Sequence, residues 1–167
     1  MTAEIPSLWR EEVWHPLSVH LPIVALLLAS VAAILCLAVK NKVYHLFVKQ
    51  MTFVMLIIGV FSGWLAIYTG ELAYSIEVRK ICDPKVLQEH QWWSYATLIV
   101  YSVALSLKII PKFITLKYLN VIKPINFCLL IIALLGLLYT GHLGASLVYQ
   151  QGAGTYKPTD DCSEFVK

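Results

Sequence analysis

Histidines carry most of the chemistry this 167-residue chain could perform, and there are five of them. His15, His20, His90 and His142 fall near the ends of apolar stretches, whereas His45 lies among lysines. Imidazole is the commonest protein ligand for metal ions and a usual axial ligand of haem iron, provided it is neutral and oriented by a second hydrogen bond. No serine or cysteine pairs with a base in a nucleophile pattern, and Ser62 and Ser146, on glycine-rich stretches, read as packing residues. The chemistry in view is therefore ligation and electron transfer rather than catalysis in the strict sense. Each histidine also has a plainer reading: His15, before Pro16, as a helix-start residue, and His90, between Glu89 and Gln91, as a surface residue.

The elements that must position these residues are apolar helices. Hydrophobic residues make up 59% of the chain and charged residues 14%, and mean hydropathy is +0.71. A soluble domain of this length does not need that balance. Four apolar runs, Leu17–Val39, Thr52–Leu72, Trp93–Ile110 and Ile125–Tyr149, are each near the roughly 20 residues that cross a hydrocarbon core of about 30 Å. Asp83 followed by Pro84 reads as an N-cap and first helical position, so the third helix is expected to begin near 84 and its first turns to project from the membrane. The fold expected is an all-α integral membrane four-helix bundle of one domain over residues 1–167, with helices near 17–39, 52–72, 84–110 and 124–149 and short outer tails. No cleavable signal peptide, internal repeat or low-complexity tract is evident.

Charge sets the expected orientation. The loop after the first helix holds Lys40, Lys42 and Lys49, and that before the fourth holds Lys108, Lys112, Lys117 and Lys123, with no acid in either. All ten Asp and Glu residues lie in the remaining segments. Because Lys and Arg are retained in cytoplasmic loops, both termini are expected on the non-cytoplasmic side, with Trp9, Trp14, Trp92 and Trp93 as outer interfacial anchors. A net charge of +3, segregated in this way, excludes nucleic-acid binding as a theme. Cys82 and Cys162 then share an oxidising compartment, where a disulfide between them would tie the tail over the bundle. Cys36 and Cys128, near the inner ends, read as buried small hydrophobes.

On this topology His15, His20, His90 and His142 occupy one layer of the outer leaflet. Ionisable groups at membrane depth usually face the bundle interior and take a partner. A haem fits such surroundings better than a bare ion: Gly141 and Gly144 flank His142, and Gly59 and Gly63 thin the second helix, which could leave a slot for a porphyrin. Trp64, Trp92, Trp93, Tyr95 and Tyr139 could line its edge, and Arg10, Arg79 or Lys80 could pair with propionates. Glycines at four-residue spacing are equally a helix-packing signature.

Three motifs carry a resemblance. His15-Pro16-Leu17-Ser18-Val19-His20-Leu21-Pro22-Ile23, His90-Gln91-Trp92-Trp93 and Thr140-Gly141-His142-Leu143-Gly144-Ala145-Ser146-Leu147 resemble the first, third and fourth helix motifs of the bacterial membrane family known as domain of unknown function 2231. The likeness spans about Val13 to Gly154. It implies a small four-helix membrane domain and, because some members are fused to c-type cytochrome or Rieske iron–sulfur domains, membrane electron transfer with a b-type haem. This chain has neither a Cys-x-x-Cys-His attachment motif nor a Rieske ligand set, and it carries Ala145 where relatives often have a second glycine.

The function expected is a b-type cytochrome-like subunit of the bacterial inner membrane. It would bind one haem b, or two, and pass electrons between a quinol pool or dehydrogenase and a separate periplasmic carrier such as a cytochrome c or Rieske-type protein. His20 and His142, the deepest, are the first-choice axial ligands; His90 and His15 are a second pair or supporting groups. Two other readings stand beside it: a non-redox accessory subunit bracing a larger membrane complex, and a bare metal ion in the histidine cluster with Glu71 or Glu89 as a further ligand.

Overall fold

In lipid a backbone must satisfy its own N–H and C=O groups, and helices do so segment by segment. The computed structural model describes residues 6–112 and 119–156, and among these there is no strand. Helices α1 (Glu11–Ser18) and α2 (His20–Ala38) form one nearly continuous rod; α3 (Lys42–Glu77) returns beside it; α4 (Pro84–Ile109) ends in a 3-10 turn, Ile110–Lys112, and α5 (Leu119–Tyr149) completes the bundle. The rod divides at Val19 because Pro22 has no N–H to offer the Ser18 carbonyl. Hydrogen bonds from Val19 N–H to the His15 carbonyl and from Ile23 N–H to the Val19 carbonyl, both 3.1 Å, carry the ladder past the gap.

Asn41 starts α3, its side-chain oxygen accepting from Val43 N–H at 2.9 Å, and Asp83 starts α4, accepting from Lys85 N–H at 3.0 Å with Pro84 in the first turn. Helix α3 begins well before the apolar run at Thr52. Its 36 residues reach about 54 Å at 1.5 Å rise, so it overshoots a bilayer at both ends. Among the described residues three helices are long and apolar enough to cross a membrane: Glu11–Ala38, Lys42–Glu77 and Val121–Tyr149. Helix α4 is less apolar, since its opening turns, Pro84 to Gln91, are mostly polar; it packs along α5 and α3 as the fourth member of the bundle.

The outside of the bundle is oily. Leu21, Val24, Leu28, Val31 and Leu35 on α2, Phe61 and Leu65 on α3, and Ile132, Leu135 and Leu138 on α5 are all exposed. Such a surface suits lipid and would associate in water, so the protein sits in a bilayer. The interior is built from small residues and a few large ones: Leu26, Ala29, Leu56, Val60, Leu98, Tyr101, Ala104, Leu130 and Ala133 form the main core. Tyr101 is fully buried, and its hydroxyl meets Ser30 Oγ at 2.9 Å, which removes the penalty of an unpaired polar group. Gly59 and Gly63 open no slot. A Cβ on Gly59 would lie 2.5 Å from Leu26 Cδ2, and one on Gly63 would lie 2.6 Å from Leu98 Cδ1, so both glycines are close-packing sites already filled by leucines.

Where α3 ends and α4 begins, Ile81, Leu87 and Leu147 make a second small core. Gly152, at φ 70°, turns the chain back so that Ala153 N–H reaches the Leu147 carbonyl at 3.0 Å. Glu77 Oε2 then accepts from Gly154 N–H at 2.9 Å. Asp83 N–H donates to Gln151 Oε1 at 3.3 Å, which brings the start of the tail beside the exposed Cys82. Cys162 lies outside the described residues. Non-reducing peptide mapping is expected to return a linked Cys82–Cys162 peptide; alkylation of both thiols without prior reduction would remove the bond.

Orientation is a prediction from charge. Reporter fusions at Lys42 and Lys117 are expected to report cytoplasm, and fusions at Asp83 and Lys167 the outside. A cytoplasmic signal at Asp83 would place the histidine layer on the other face.

Candidate functional site

Of the four outer histidines the fold brings together His15 and His90. Their ring centres lie 6.3 Å apart with the planes at 75°, and this is the sole histidine pair in ring contact among the described residues. Each ring is pinned by the neighbouring helix of its own hairpin. His15 Nδ1 lies 3.0 Å from the Ala66 carbonyl on α3, and His90 Nδ1 lies 3.1 Å from the Thr140 carbonyl on α5. A carbonyl only accepts, so the proton of each ring sits on Nδ1 and the donor is the imidazole. That leaves both Nε2 lone pairs unengaged. No buried side-chain polar atom among the described residues lacks a partner, so these nitrogens are open rather than sealed away.

Glycines make room for the rings. A Cβ on Gly70 would lie 3.1 Å from His15 Cε1, and a Cβ on Gly144 would lie 3.2 Å from His90 Cε1. Both glycines stand one helical turn beyond the accepting carbonyl, since Gly70 follows Ala66 and Gly144 follows Thr140 by four residues along one face. The bundle thus repeats one device twice: a histidine on the descending helix, a carbonyl that takes its Nδ1–H, and a glycine one turn on. The partners are 51 residues apart in the first hairpin and 50 in the second. Hydroxyls steady each copy. Thr69 Oγ1 donates to the Ala66 carbonyl at 3.0 Å and meets Ser18 Oγ at 2.7 Å, while Ser94 Oγ donates to the His90 carbonyl at 2.7 Å.

His20 and His142 are placed differently. Both are exposed on the outside of the bundle, and His142 stacks on Tyr139, with ring centres 6.5 Å apart, at the end of a run of rings through Trp93 and Trp92. Gly141 beside it faces open space. His45 is exposed in the first turn of α3. Of the aromatic residues expected near the site, Trp64 instead donates its Nε1–H to Ser102 Oγ at 3.2 Å and touches Tyr95.

The start of α1 and the end of α3 share an ion network. Glu12, 8% exposed, contacts Arg10 at 3.3 Å and Lys80 at 3.5 Å, and Lys80 reaches Glu77 at 2.9 Å. Its hydrogen bond to Glu77 holds the Lys80 ammonium above the usual lysine pKa. Arg10 and Lys80, expected as anion partners, are therefore committed to carboxylates, while Arg79 is exposed. Gly70, Ala66 and Thr140 escaped the sequence reading because two of them act through backbone carbonyls; the near-equal spacing from His15 to Gly70 and from His90 to Gly144 was the available signal.

Two imidazoles on opposite sides of one ion, each about 2 Å from it, have ring centres about 6 Å apart, close to the separation found here. Among the described residues no group of three or more His, Cys, Asp or Glu side chains is gathered for a metal ion. The donor set is a pair, which suits a group that brings its remaining ligands with it. Comparison with curated proteins and with solved structures gives no match. The profile of one family does match, over residues 13–157, and the chain belongs to it: the predicted membrane protein family DUF2231.

Proposed function

We propose that this protein is a membrane electron-transfer subunit in which His15 and His90 hold a b-type haem near the outer face. The observation that carries this reading is the pair itself, with each Nδ1–H donating to a backbone carbonyl and each Nε2 left open, 6.3 Å between ring centres. Metal-ligating histidines usually donate their other ring N–H in this way, which selects the tautomer and orients the ring. A porphyrin supplies four donors of its own and asks the protein for two, which agrees with the donor set. When bound, such a group supplies one-electron chemistry.

The chain's own contribution is positioning. Gly70 and Gly144 admit the two rings between helices, and the Ser18–Thr69 contact keeps α1 seated on α3. His20 and His142, deeper by sequence position but turned outward, are assigned no axial role in this reading. A bare ion with Glu71 or Glu89 as third ligand is less well supported: among the described residues neither carboxylate is grouped with the two histidines. The location proposed is a bacterial inner membrane. The partners proposed are other membrane subunits and a periplasmic carrier such as a cytochrome c or Rieske-type protein.

A pyridine haemochrome assay on detergent-purified protein tests the reading. About one haem b per chain with a low-spin reduced-minus-oxidised spectrum is the expected result. Metal without haem would favour the bare-ion reading, and neither would leave the accessory-subunit reading in possession.

A further inference from the structure

A second site adjoins the histidine pair. Helices α3 and α4 leave a groove of about 830 Å3, lined by Glu71, Tyr74, Gln88, Gln91, Trp92, Tyr95 and Ile99. It begins one residue from each copy of the histidine device, because Glu71 follows Gly70 and Gln91 follows His90. Glu71 Oε1 accepts from Gln91 Nε2 at 2.7 Å and from the Tyr95 hydroxyl at 3.1 Å. Those two donors orient the carboxyl group. Among the described residues its other oxygen, Oε2, has no hydrogen-bond or ion-pair partner, and no buried polar atom is left unpaired, so Oε2 is not sealed in the interior and belongs to a side chain that lines the groove. Below the groove, exposed Ile99 and Val103 continue along the same side of α4 into the lipid zone.

An oriented carboxylate oxygen beside aromatic walls selects a ring that carries a hydroxyl donor. The apolar strip beneath suits a tail that stays in the bilayer, and the volume lies within the usual range for small-molecule sites. We infer that the Glu71 groove binds the headgroup of a lipid-borne hydroquinone, its hydroxyl donating to Glu71 Oε2. Trp92 and Tyr95 flank the ring. Binding rests on the groove alone; oxidation of the hydroquinone to quinone, with two electrons leaving one at a time toward the His15–His90 centre and two protons released to solvent, rests on the redox reading above.

The chemistry makes a redox-state preference the test. A hydroquinone donates to a carboxylate, and the corresponding quinone, with carbonyl oxygens only, cannot. Full-length protein in detergent is titrated anaerobically with a short-tailed benzohydroquinone and with the matching benzoquinone, and binding is read by calorimetry. Wild type is expected to hold the hydroquinone about tenfold or more tighter, as suits a charge-assisted hydrogen bond. In Glu71→Gln the amide can donate to a carbonyl, and the preference is expected to vanish or invert, with thermal unfolding near that of wild type. Ile99→Trp, which fills the groove, is expected to weaken both ligands together. Equal affinity of wild type for the two forms, no binding of either, or a folded Glu71→Gln that keeps the preference would each overturn the inference. Repeating the titration on His15→Ala separates the two proposals: binding by this variant without haem leaves the groove assignment standing, and haem in the wild type with no binding of either ligand leaves the histidine assignment standing.

Discussion

His15→Ala and His90→Ala are each expected to abolish the low-spin haem b spectrum, lowering haem content by more than about tenfold. Removing one imidazole of a pair leaves the iron a ligand short, and no other side chain stands ready, since no third His, Cys, Asp or Glu is grouped with the two among the described residues. The inserted bundle should survive both substitutions, because each histidine gives up one hydrogen bond to a carbonyl that keeps its helical donor. His20→Ala and His142→Ala are expected to retain the spectrum, as both side chains face outward. His45→Ala is the internal control: it lies about 38 Å from Gly70 along α3 at 1.5 Å per residue. Haem content and the reduced-minus-oxidised spectrum of the five variants decide the matter. Loss in His20→Ala and His142→Ala with retention in the other pair would move the site to the outward histidines. A haem-free wild type would end the cytochrome reading altogether.

The second large effect concerns the bundle itself. Gly59→Val should destabilise it by about 1–3 kcal/mol or more, the range for forcing extra atoms into a packed core. The added Cβ would meet Leu26 Cδ2 at 2.5 Å and, less avoidably, the Leu26 backbone nitrogen at 3.1 Å. The leucine could turn aside, but its backbone cannot, so α2 and α3 must part. Gly141→Val offers the matched comparison. Nothing lies within 4 Å of its Cβ position, and the change should stay within about 0.5 kcal/mol. Thermal or denaturant unfolding of both variants in one detergent, followed by helical circular dichroism, measures the difference. Equal stability would mean that the α2–α3 contact at Gly59 is not the close approach described.

Sequence and fold contribute different parts of this picture. Hydropathy marks the apolar stretches because lipid admits helices and little else, and Asp83–Pro84 marks the start of α4 because an N-cap and a first-turn proline answer local needs of the backbone. The expectation that four histidines share one outer layer rests likewise on counting residues along helices. The beginning of α3 at Lys42 was less legible, since Lys42, His45, Lys49 and Gln50 interrupt its opening turns and break the apolar run there.

Which histidines face inward is not a counting matter. His15 and His20 are five residues apart, about 140° around a helix at 3.6 residues per turn, so the two cannot both point at the bundle axis. Depth therefore said nothing about direction. Direction follows from how each helix is rotated when Gly59 closes on Leu26, Gly63 on Leu98 and Gly136 on Thr97. The same contacts show why glycines read as a porphyrin slot are instead filled: a missing Cβ lets a neighbour approach as readily as it leaves a gap. Likewise the carbonyls of Ala66 and Thr140 have no side-chain signature, and Gly70 and Gly144 look like any other small residues of a membrane helix. The sequence by itself determined the apolar helices, because these follow from position along a chain in lipid. That the rings of His15 and His90 meet while His20 and His142 are exposed was decided by tertiary structure alone, because rotation about a helix axis is set by the side chains of the helices packed against it.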